Sequence, residues 1–312
     1  MAQITNGAGQ LTQLDLPTEV RNSKSMDLHL LSPERILELI NEEDAFAIEQ
    51  ARLQIPNTTR LVELAVTAIS SGKSVHYFGA GTSGRIATQD AAELYPTFHA
   101  PAEAVQAHMA GGLDALLTSV ENAEDDFDAG SKDASSVRAG DVVVGLAASG
   151  RTPYVGGALA AAREKGAHTA LIACVPEPQL APLADVLIAG DTGPEVLTGS
   201  TRLKAGTFQK SVLSGFSTAL MVGLGRTYSN LMVSMVATNE KLHSRSIRIL
   251  MEGSGVSESV ATELLAQSGG DLKLALAAGI SGVTPAIAQP HLIQAGGVVQ
   301  KALESLAHTK DQ

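Results

Sequence analysis

The fold is decided by the stretch Val75-His76-Tyr77-Phe78-Gly79-Ala80-Gly81-Thr82-Ser83-Gly84-Arg85. An apolar run of strand length leads into a turn of glycine and hydroxylated residues, and a helical pattern follows. The stretch Val142-Val143-Val144-Gly145-Leu146-Ala147-Ala148-Ser149-Gly150-Arg151-Thr152 repeats this design. Each stretch predicts a buried strand, a tight turn and the first turn of a helix, which is the unit of a parallel sheet.

Five short apolar runs occur along the chain, and helix-length stretches separate most of them. They lie at residues 74–78, 104–109, 141–146, 168–173 and 185–189. Strands that alternate with helices form a parallel sheet with right-handed crossovers and helices on both faces. We therefore predict an α/β fold with a doubly wound, five-stranded parallel sheet in flavodoxin-like strand order. Ligands should bind beyond the carboxyl ends of its strands.

Helical patterns lie on both sides of the predicted sheet. Before it, Ser32 and Pro33 have the residue types of a helix start, and a helix is predicted through Ile40. Two more helices are predicted over residues 44–54 and 59–71. After residue 239 no strand pattern remains, and helices are predicted over residues 256–267, 271–278 and 293–306.

These patterns predict three parts of the chain. They are an N-terminal tail with a helix (1–44), an α/β domain (45–238) and a small C-terminal helical domain (239–312). A length of 312 residues agrees with one large and one small domain.

Composition excludes several classes of protein. Hydrophobic residues make up 44% and charged residues 18% of the chain, which is typical of a globular protein. The net charge of −11 argues against binding to nucleic acid or to an anionic membrane surface. Aromatic residues are only 3% and tryptophan is absent, so few side chains are available to stack on bases.

Other signals favour a cytoplasmic protein. The single cysteine, Cys174, cannot form an internal disulfide and lies in an apolar run. The first residues do not combine a basic segment with an apolar one, as a signal peptide does. The most apolar long segment, residues 211–225, is shorter than a membrane span and predicts a buried helix.

The turns after the two quoted strands suit a phosphate group. Amides at a helix N-terminus point outward, glycine lets the backbone approach closely, and hydroxyl groups add donors. Residues 198–204 have the same composition before another helix, so three turns are expected to converge on one anion. The predicted phosphate-binding residues are Gly81, Thr82, Ser83, Gly84, Ser149, Gly150, Arg151, Thr152, Ser200, Thr201 and Lys204.

Alternative sites have weaker support. Residues 79–84 also fit the G-x-G-x-x-G dinucleotide pattern, but no acidic residue follows the next apolar run to hold a ribose. The histidines form no i, i+4 pair, and no nucleophile elbow occurs, so neither a metal nor a cofactor is expected. Two acidic segments, 90–93 and 120–126, lie on predicted helices and are either solvated faces or sources of an acid and a base.

At these residues the chain resembles the N-acetylmuramic acid 6-phosphate etherases, a bacterial family of the sugar-isomerase (SIS) fold. The likeness covers residues 18–250, and residues 251–312 are similar to the ubiquitin-associated-type helical domain that ends these enzymes. The matching stretches are residues 18–22, 41–44, 79–85, 96–98, 121–125, 147–154, 195–207, 230–233 and 237–242.

The resemblance implies a function and two catalytic residues. The family cleaves the D-lactyl ether of N-acetylmuramic acid 6-phosphate by elimination and hydration, giving N-acetylglucosamine 6-phosphate and D-lactate in the recycling of cell-wall sugars. By motif, Glu93 matches the acid that protonates the departing lactate, and Glu124 matches the second catalytic glutamate, the expected base at C2. The acid has to be protonated, which burial or a nearby negative charge arranges by raising its pKa.

Helix geometry limits how Glu93 can act. If one straight helix begins at the first turn, Glu93 lies about 15 Å beyond Ser83, too far for a sugar held at that turn. Either the helix is short and the chain folds back, or Glu93 serves the site of a partner subunit. We favour a homodimer with sites at the interface.

Two alternatives share the fold. One is a sugar-phosphate aldose-ketose isomerase, and the other is a non-catalytic sugar-phosphate-binding regulator, because the etherases are similar to the animal glucokinase regulatory protein. The regulator is disfavoured since both glutamates are present. The chain also departs from the family where Ala92 and Tyr95 stand beside Glu93.

Overall fold

The computed structural model describes residues 17–235 and 240–310. Its centre is a five-stranded parallel sheet in the order β2-β1-β3-β4-β5, which is the flavodoxin-like order. Each strand begins within one residue of its predicted position, so the predicted fold class is confirmed. The strands are β1 (Val75–Gly79), β2 (Val105–Met109), β3 (Val142–Leu146), β4 (His168–Ala173) and β5 (Val186–Ala189).

The register of the sheet brings the strand ends together. Val75 of β1 pairs with Val105 of β2 and with Val142 of β3, so all three strands begin in line. Their last residues are therefore aligned as well, and the turns that follow leave the sheet at one edge. Strands β1 and β3 are buried along their whole length, as expected for a sheet covered on both faces.

Seven α-helices lie within residues 17–235. They are α1 (Pro33–Leu53), α2 (Ile55–Ser70), α3 (Gly81–Phe98), α4 (Asp114–Leu117), α5 (Phe127–Asp133), α6 (Pro153–Glu164) and α7 (Lys204–Gly223). Ser32 caps α1 as predicted, because its side chain accepts a hydrogen bond from the Arg35 amide.

The prediction of two helices before residue 54 is wrong, because α1 is continuous. Residues 41–43 are polar, and the two predicted helices lie on either side of them. In the structure, Glu43 is buried on the same helix face as Leu39 and Ala47. Its charge is paired there, so the helix continues through it. The third predicted helix is α2, which begins four residues earlier than expected.

The acidic segment 120–126 is not an α-helix, contrary to the prediction. Asn122 has a left-handed backbone with φ of 61°, which an α-helix does not allow. A single 3₁₀ turn, Ala123–Asp125, follows it. The other acidic segment, 90–93, lies on α3 as predicted.

The second part of the chain is helical, as expected. Leu250, Leu265, Leu276 and Leu292 belong to its buried core. The helix predicted over residues 293–306 is present from Val299 onward, but its predicted start is wrong, because the chain turns at residues 296 and 297, two glycines with positive φ. The helices are α8 (Glu240–Ser254), α9 (Glu258–Gln267), α10 (Leu272–Ser281), α11 (Pro285–Gln294) and α12 (Val299–Lys310).

Contacts divide the chain into two compact units. One consists of Met1–Asp90 and Ala104–Phe216, and the other of Ala91–Glu103 and Ser217–Gln312. The predicted domain limits at residues 44 and 238 stay predictions. The second limit and part of the motif 237–242 lie outside the described residues, as do residues 1–16 of the predicted tail.

Within the described residues, no single helix has the length and apolar character needed to cross a membrane. Only α10 and α11 taken together meet that test, and they are bent by 112° relative to each other.

Candidate active site

A cleft opens at the carboxyl edge of the sheet, where residues from all three predicted turns meet. The first unit of the chain supplies all of its walls. Its lining residues are Thr18, Glu19, Ala80, Gly81, Thr82, Ser83, Glu124, Asp125, Ala148, Ser149, Arg151, Thr152, Pro153, Gly199 and Thr201.

Two helices begin at this cleft. Helix α3 starts at Gly81, so Thr82 and Ser83 lie in its first turn. Helix α6 starts at Pro153, and its N-cap Thr152 makes no capping hydrogen bond with its side chain. The first amides of a helix have no partner within the helix and carry its positive dipole end. The cleft therefore presents amides and hydroxyls that suit an anion.

The third predicted turn leads into α7, and a carboxylate of the chain itself already occupies the N-terminus of that helix. The buried Glu195 carboxylate accepts hydrogen bonds from the Lys204 amide at 3.2 Å and from the Ala205 amide at 3.0 Å. Burial raises the pKa of Glu195, and these two amides offset only part of that effect. The third turn thus contributes Gly199 and Thr201 to the cleft, but not a free helix end.

Lys204 does not line the cleft. Its ammonium forms a buried ion pair with the Glu43 carboxylate, which also accepts a 2.7 Å hydrogen bond from Lys24. Burial opposes ionisation of Glu43, but the hydrogen bonds from the two lysines outweigh it, and the pKa of Glu43 lies below its usual value. Lys204 is thus engaged in holding α1 to the start of α7.

The same ion pair anchors the N-terminal wall of the cleft. Asn22 Nδ2 donates to Glu43 Oε2 at 3.2 Å and to the Pro194 carbonyl at 3.1 Å. These bonds fix the chain just after Thr18 and Glu19, which line the cleft. Thr18 is 1% exposed, and its hydroxyl has no hydrogen-bond partner among the described residues.

Three more of the predicted phosphate-binding residues, Gly84, Gly150 and Ser200, lie outside the lining of the cleft. A Cβ on Gly84 would lie 2.7 Å from the Gly79 carbonyl oxygen, so this glycine lets α3 pack closely on the end of β1. Gly150 has a φ of +69° and would clash with Pro178. Ser200 is partly exposed and, like these two glycines, is not among the residues that line the cleft.

Arg85 and Arg151, the arginines of the first two predicted turns, have different surroundings in the structure. The Arg85 guanidinium donates to the carbonyls of Ala115 and Leu116 at 2.8 and 3.1 Å, and so holds α4. Arg151 lines the cleft. The predicted turns carry four cations, Arg85, Arg151, Arg202 and Lys204, and of these only Arg151 is among the residues that line the cleft.

Glu124 lies on the 3₁₀ turn before α5, where its exposed side chain lines the cleft. Ala80, Gly81, Glu124 and Asp125 also line a neighbouring recess, whose other walls include Met109. The carboxylate therefore stands between the phosphate-type turns and further space for a ligand.

Two glycines allow α5, the helix that follows Glu124, to pack closely on α6. A Cβ on Gly130 of α5 would lie 1.9 Å from the Tyr154 carbonyl oxygen, and one on Gly157 of α6 would lie 1.9 Å from the Phe127 carbonyl oxygen. Ser131 Oγ donates to the Gly157 carbonyl at 3.1 Å. The backbones of α5 and α6 thus touch directly, just after Glu124.

Glu93 is exposed on α3 and is not among the residues that line the cleft. Among the described residues, none therefore gives Glu93 the burial expected for a protonated acid. Tyr95, one of the departures from the family pattern, is also exposed, and its ring lies 5.0 Å from that of His99.

Sequence reasoning missed several residues of this region. Thr18 and Glu19 belong to a matching stretch but were given no role, and Asp125 follows Glu124 directly. Glu43 pairs with Lys204, which lies 161 residues away, so spacing gave no signal for it. Glu195 bonds to backbone amides nine and ten residues further on, and backbone partners leave no mark in the residue types. Among residues 17–235 and 240–310, no group of three or more His, Cys, Asp or Glu side chains is arranged to hold a metal.

Comparison with known proteins agrees with this fold. Residues 58–163 match the family described as the glucokinase regulatory protein N-terminal SIS domain. A phosphoheptose isomerase from Francisella tularensis shares the fold, with a TM-score of 0.50 and 17% identity over 62% of this chain and 100% of that chain.

Three curated relatives are similar over most of their length, and all are N-acetylmuramic acid 6-phosphate etherases. The Thermobifida fusca protein is 52% identical over 83% of this chain and 86% of its own. The Geobacillus thermodenitrificans protein is 46% identical over 93% and 99%, and the Salmonella typhi protein 44% identical over 93% and 98%. This chain belongs to the N-acetylmuramic acid 6-phosphate etherase family.

Proposed function

We propose that this protein is a carbon-oxygen lyase that cleaves the D-lactyl ether of N-acetylmuramic acid 6-phosphate, giving N-acetylglucosamine 6-phosphate and D-lactate. The observation that carries the proposal is the meeting of two helix N-termini and their hydroxyl groups with the Glu124 carboxylate in one cleft. The helix ends suit the phosphate group, and the carboxylate suits proton transfer on the sugar.

Elimination requires a base at C2 of the open-chain sugar. The aldehyde at C1 acidifies the C2 proton, which Glu124 removes. The electron pair forms the C2–C3 double bond as the C3–oxygen bond breaks, and lactate leaves with a proton from an acid. Water then adds at C3, and a proton returns to C2. Thr82, Ser83, Ser149, Thr152, Arg151 and Thr201 hold the phosphate during these steps.

The acid is Glu93, supplied by a partner subunit. Helix α3 is continuous from Gly81 to Phe98, so a short helix with a returning chain does not explain how Glu93 acts. Ten residues of helix separate Glu93 from Ser83, about 15 Å along the axis. A homodimer with its sites at the interface brings a second copy of Glu93 to each cleft, where burial by the partner favours its protonated form.

Incubation with N-acetylmuramic acid 6-phosphate in oxygen-18 water tests the reaction. Elimination and hydration place the label at C3 of the sugar and leave the lactate unlabelled. Labelled lactate with an unlabelled sugar would contradict the mechanism. Binding without lactate release would favour a regulator, and conversion of an aldose phosphate to a ketose phosphate would favour an isomerase.

Mixing of inactive subunits tests the shared site. A Glu93→Ala variant and a Ser83→Ala/Ser149→Ala variant should each be inactive alone. Mixed and allowed to exchange subunits, they should regain activity, because some clefts then combine an intact phosphate site with an intact acid. No recovery despite proven exchange would show that Glu93 does not act across an interface.

A further inference from the structure

A buried glutamine lies directly behind the first turn of the cleft. Gln209, on α7, is 1% exposed. Its Oε1 atom accepts a 2.8 Å hydrogen bond from Ser83 Oγ. Its Nε2 amide has no hydrogen-bond partner among the described residues. An unpaired buried N–H group is rare and unfavourable, so this side chain calls for an explanation.

This arrangement directs the Ser83 hydroxyl away from an anion. A hydroxyl has one hydrogen to donate, and here it points to Gln209. Phosphate oxygens only accept hydrogen bonds. In this state Ser83 has no hydrogen left to donate to them, because its single hydroxyl hydrogen goes to Gln209. A half-turn of the Gln209 amide about its last bond exchanges Oε1 and Nε2 with almost no change of shape. Nε2 then donates to Ser83 Oγ, and the Ser83 hydrogen is free for the cleft.

We propose that Gln209 is a positioning residue whose amide group turns when a phosphoryl group binds, so that Ser83 donates to the phosphate instead of to Gln209. This inference rests on the function proposed above. Each orientation leaves one Gln209 atom unpaired. The bound orientation pairs the amide N–H and leaves a carbonyl oxygen, which is the better tolerated of the two. A hydroxyl that accepts a hydrogen bond is also a stronger donor.

The test is a double-mutant cycle in the full chain with Ser83→Ala and Gln209→Met. The readout is the Kd for N-acetylglucosamine 6-phosphate by titration calorimetry, with unphosphorylated N-acetylglucosamine as the second ligand. Ser83→Ala should weaken binding of the phosphorylated sugar about tenfold or more, because a hydrogen bond to a charged group is lost. Gln209→Met should weaken it about threefold to tenfold, and the double variant should bind no more weakly than Ser83→Ala.

Controls separate positioning from a general structural role. Ser217→Ala removes another buried hydroxyl from α7, two turns further on, and should leave the Kd unchanged. The side-chain amide NMR signal of Gln209 should shift when the phosphorylated sugar is added to the wild-type chain, but not in Ser83→Ala. If Gln209→Met lowers the thermal unfolding temperature strongly, Gln209→Leu takes its place in the cycle.

Failure of this inference and failure of the proposed function give different results in the cycle. If the losses from Ser83→Ala and Gln209→Met multiply in the double variant, or if Gln209→Met leaves the Kd unchanged, Gln209 does not act through Ser83 and the inference is overturned. If Ser83→Ala itself leaves the Kd for the phosphorylated sugar unchanged, the cleft does not hold the phosphate there, and the proposed function fails with it.

Discussion

Replacing Gly157 by alanine should displace Glu124 without touching the cleft directly. The new Cβ would lie 1.9 Å from the Phe127 carbonyl oxygen, so a shift of roughly 1.5 Å is needed to restore an ordinary contact. Helix α6 packs against β1, β3 and β4, whereas α5 packs mainly on α6, so α5 is the element that yields. Glu124 precedes Phe127 by three residues and moves with it.

The expected effect on activity is larger than the effect on stability. Displacing a catalytic group by about 1 Å lowers kcat about 100-fold. Overpacking at the contact should lower the free energy of unfolding by about 1–3 kcal/mol. The assay is initial-rate release of D-lactate from N-acetylmuramic acid 6-phosphate, alongside urea unfolding to measure stability.

A matched control is available on α7. A Cβ on Gly215 would have no atom within 4 Å, so Gly215→Ala should keep full activity and gain about 0.5–1 kcal/mol from helix propensity. In a Glu124→Gln background, Gly157→Ala should cause little further loss of kcat. A folded Gly157→Ala variant with wild-type kcat would refute the idea that the α5–α6 contact places Glu124.

Three further outcomes follow from buried groups. Lys204→Met should lower the free energy of unfolding by about 3 kcal/mol in urea titrations because it leaves Glu43 buried with one cation fewer, and Glu43→Leu in the same chain should restore much of it. Burial lowers the pKa of His108 from 6.5 to about 4, so in that range the unfolded chain binds the extra proton. The free energy of unfolding should therefore fall by up to about 3 kcal/mol between pH 6.5 and 4, and His108→Gln should remove that part of the fall. Cys174 is buried and its thiol pKa is raised by that burial, so a thiol reagent should label it only after unfolding; rapid labelling of the native chain would contradict this.

The sequence predicted the elements that local patterns encode. Apolar runs with β-branched residues gave all five strands to within one residue at their starts, and the alternation with helices gave the sheet class. The glycine and hydroxyl turns were placed correctly at the starts of α3 and α6. Local patterns failed where a polar residue is buried with a distant partner, as Glu43 is in α1, and where a single left-handed residue such as Asn122 ends a helical pattern.

By itself, then, the sequence determined which segments become strands and which turns bring glycine, hydroxyl and charged residues to the starts of helices. Only the tertiary structure decided what those groups do with their hydrogen bonds. Lys204 turns from the cleft to Glu43, Glu195 occupies the start of α7, and the Ser83 hydrogen goes to Gln209, which is 126 residues away. The reason is physical: strand and helix patterns are set by neighbours along the chain, whereas a buried charge or hydroxyl takes the partner that chain closure brings within about 3 Å of it.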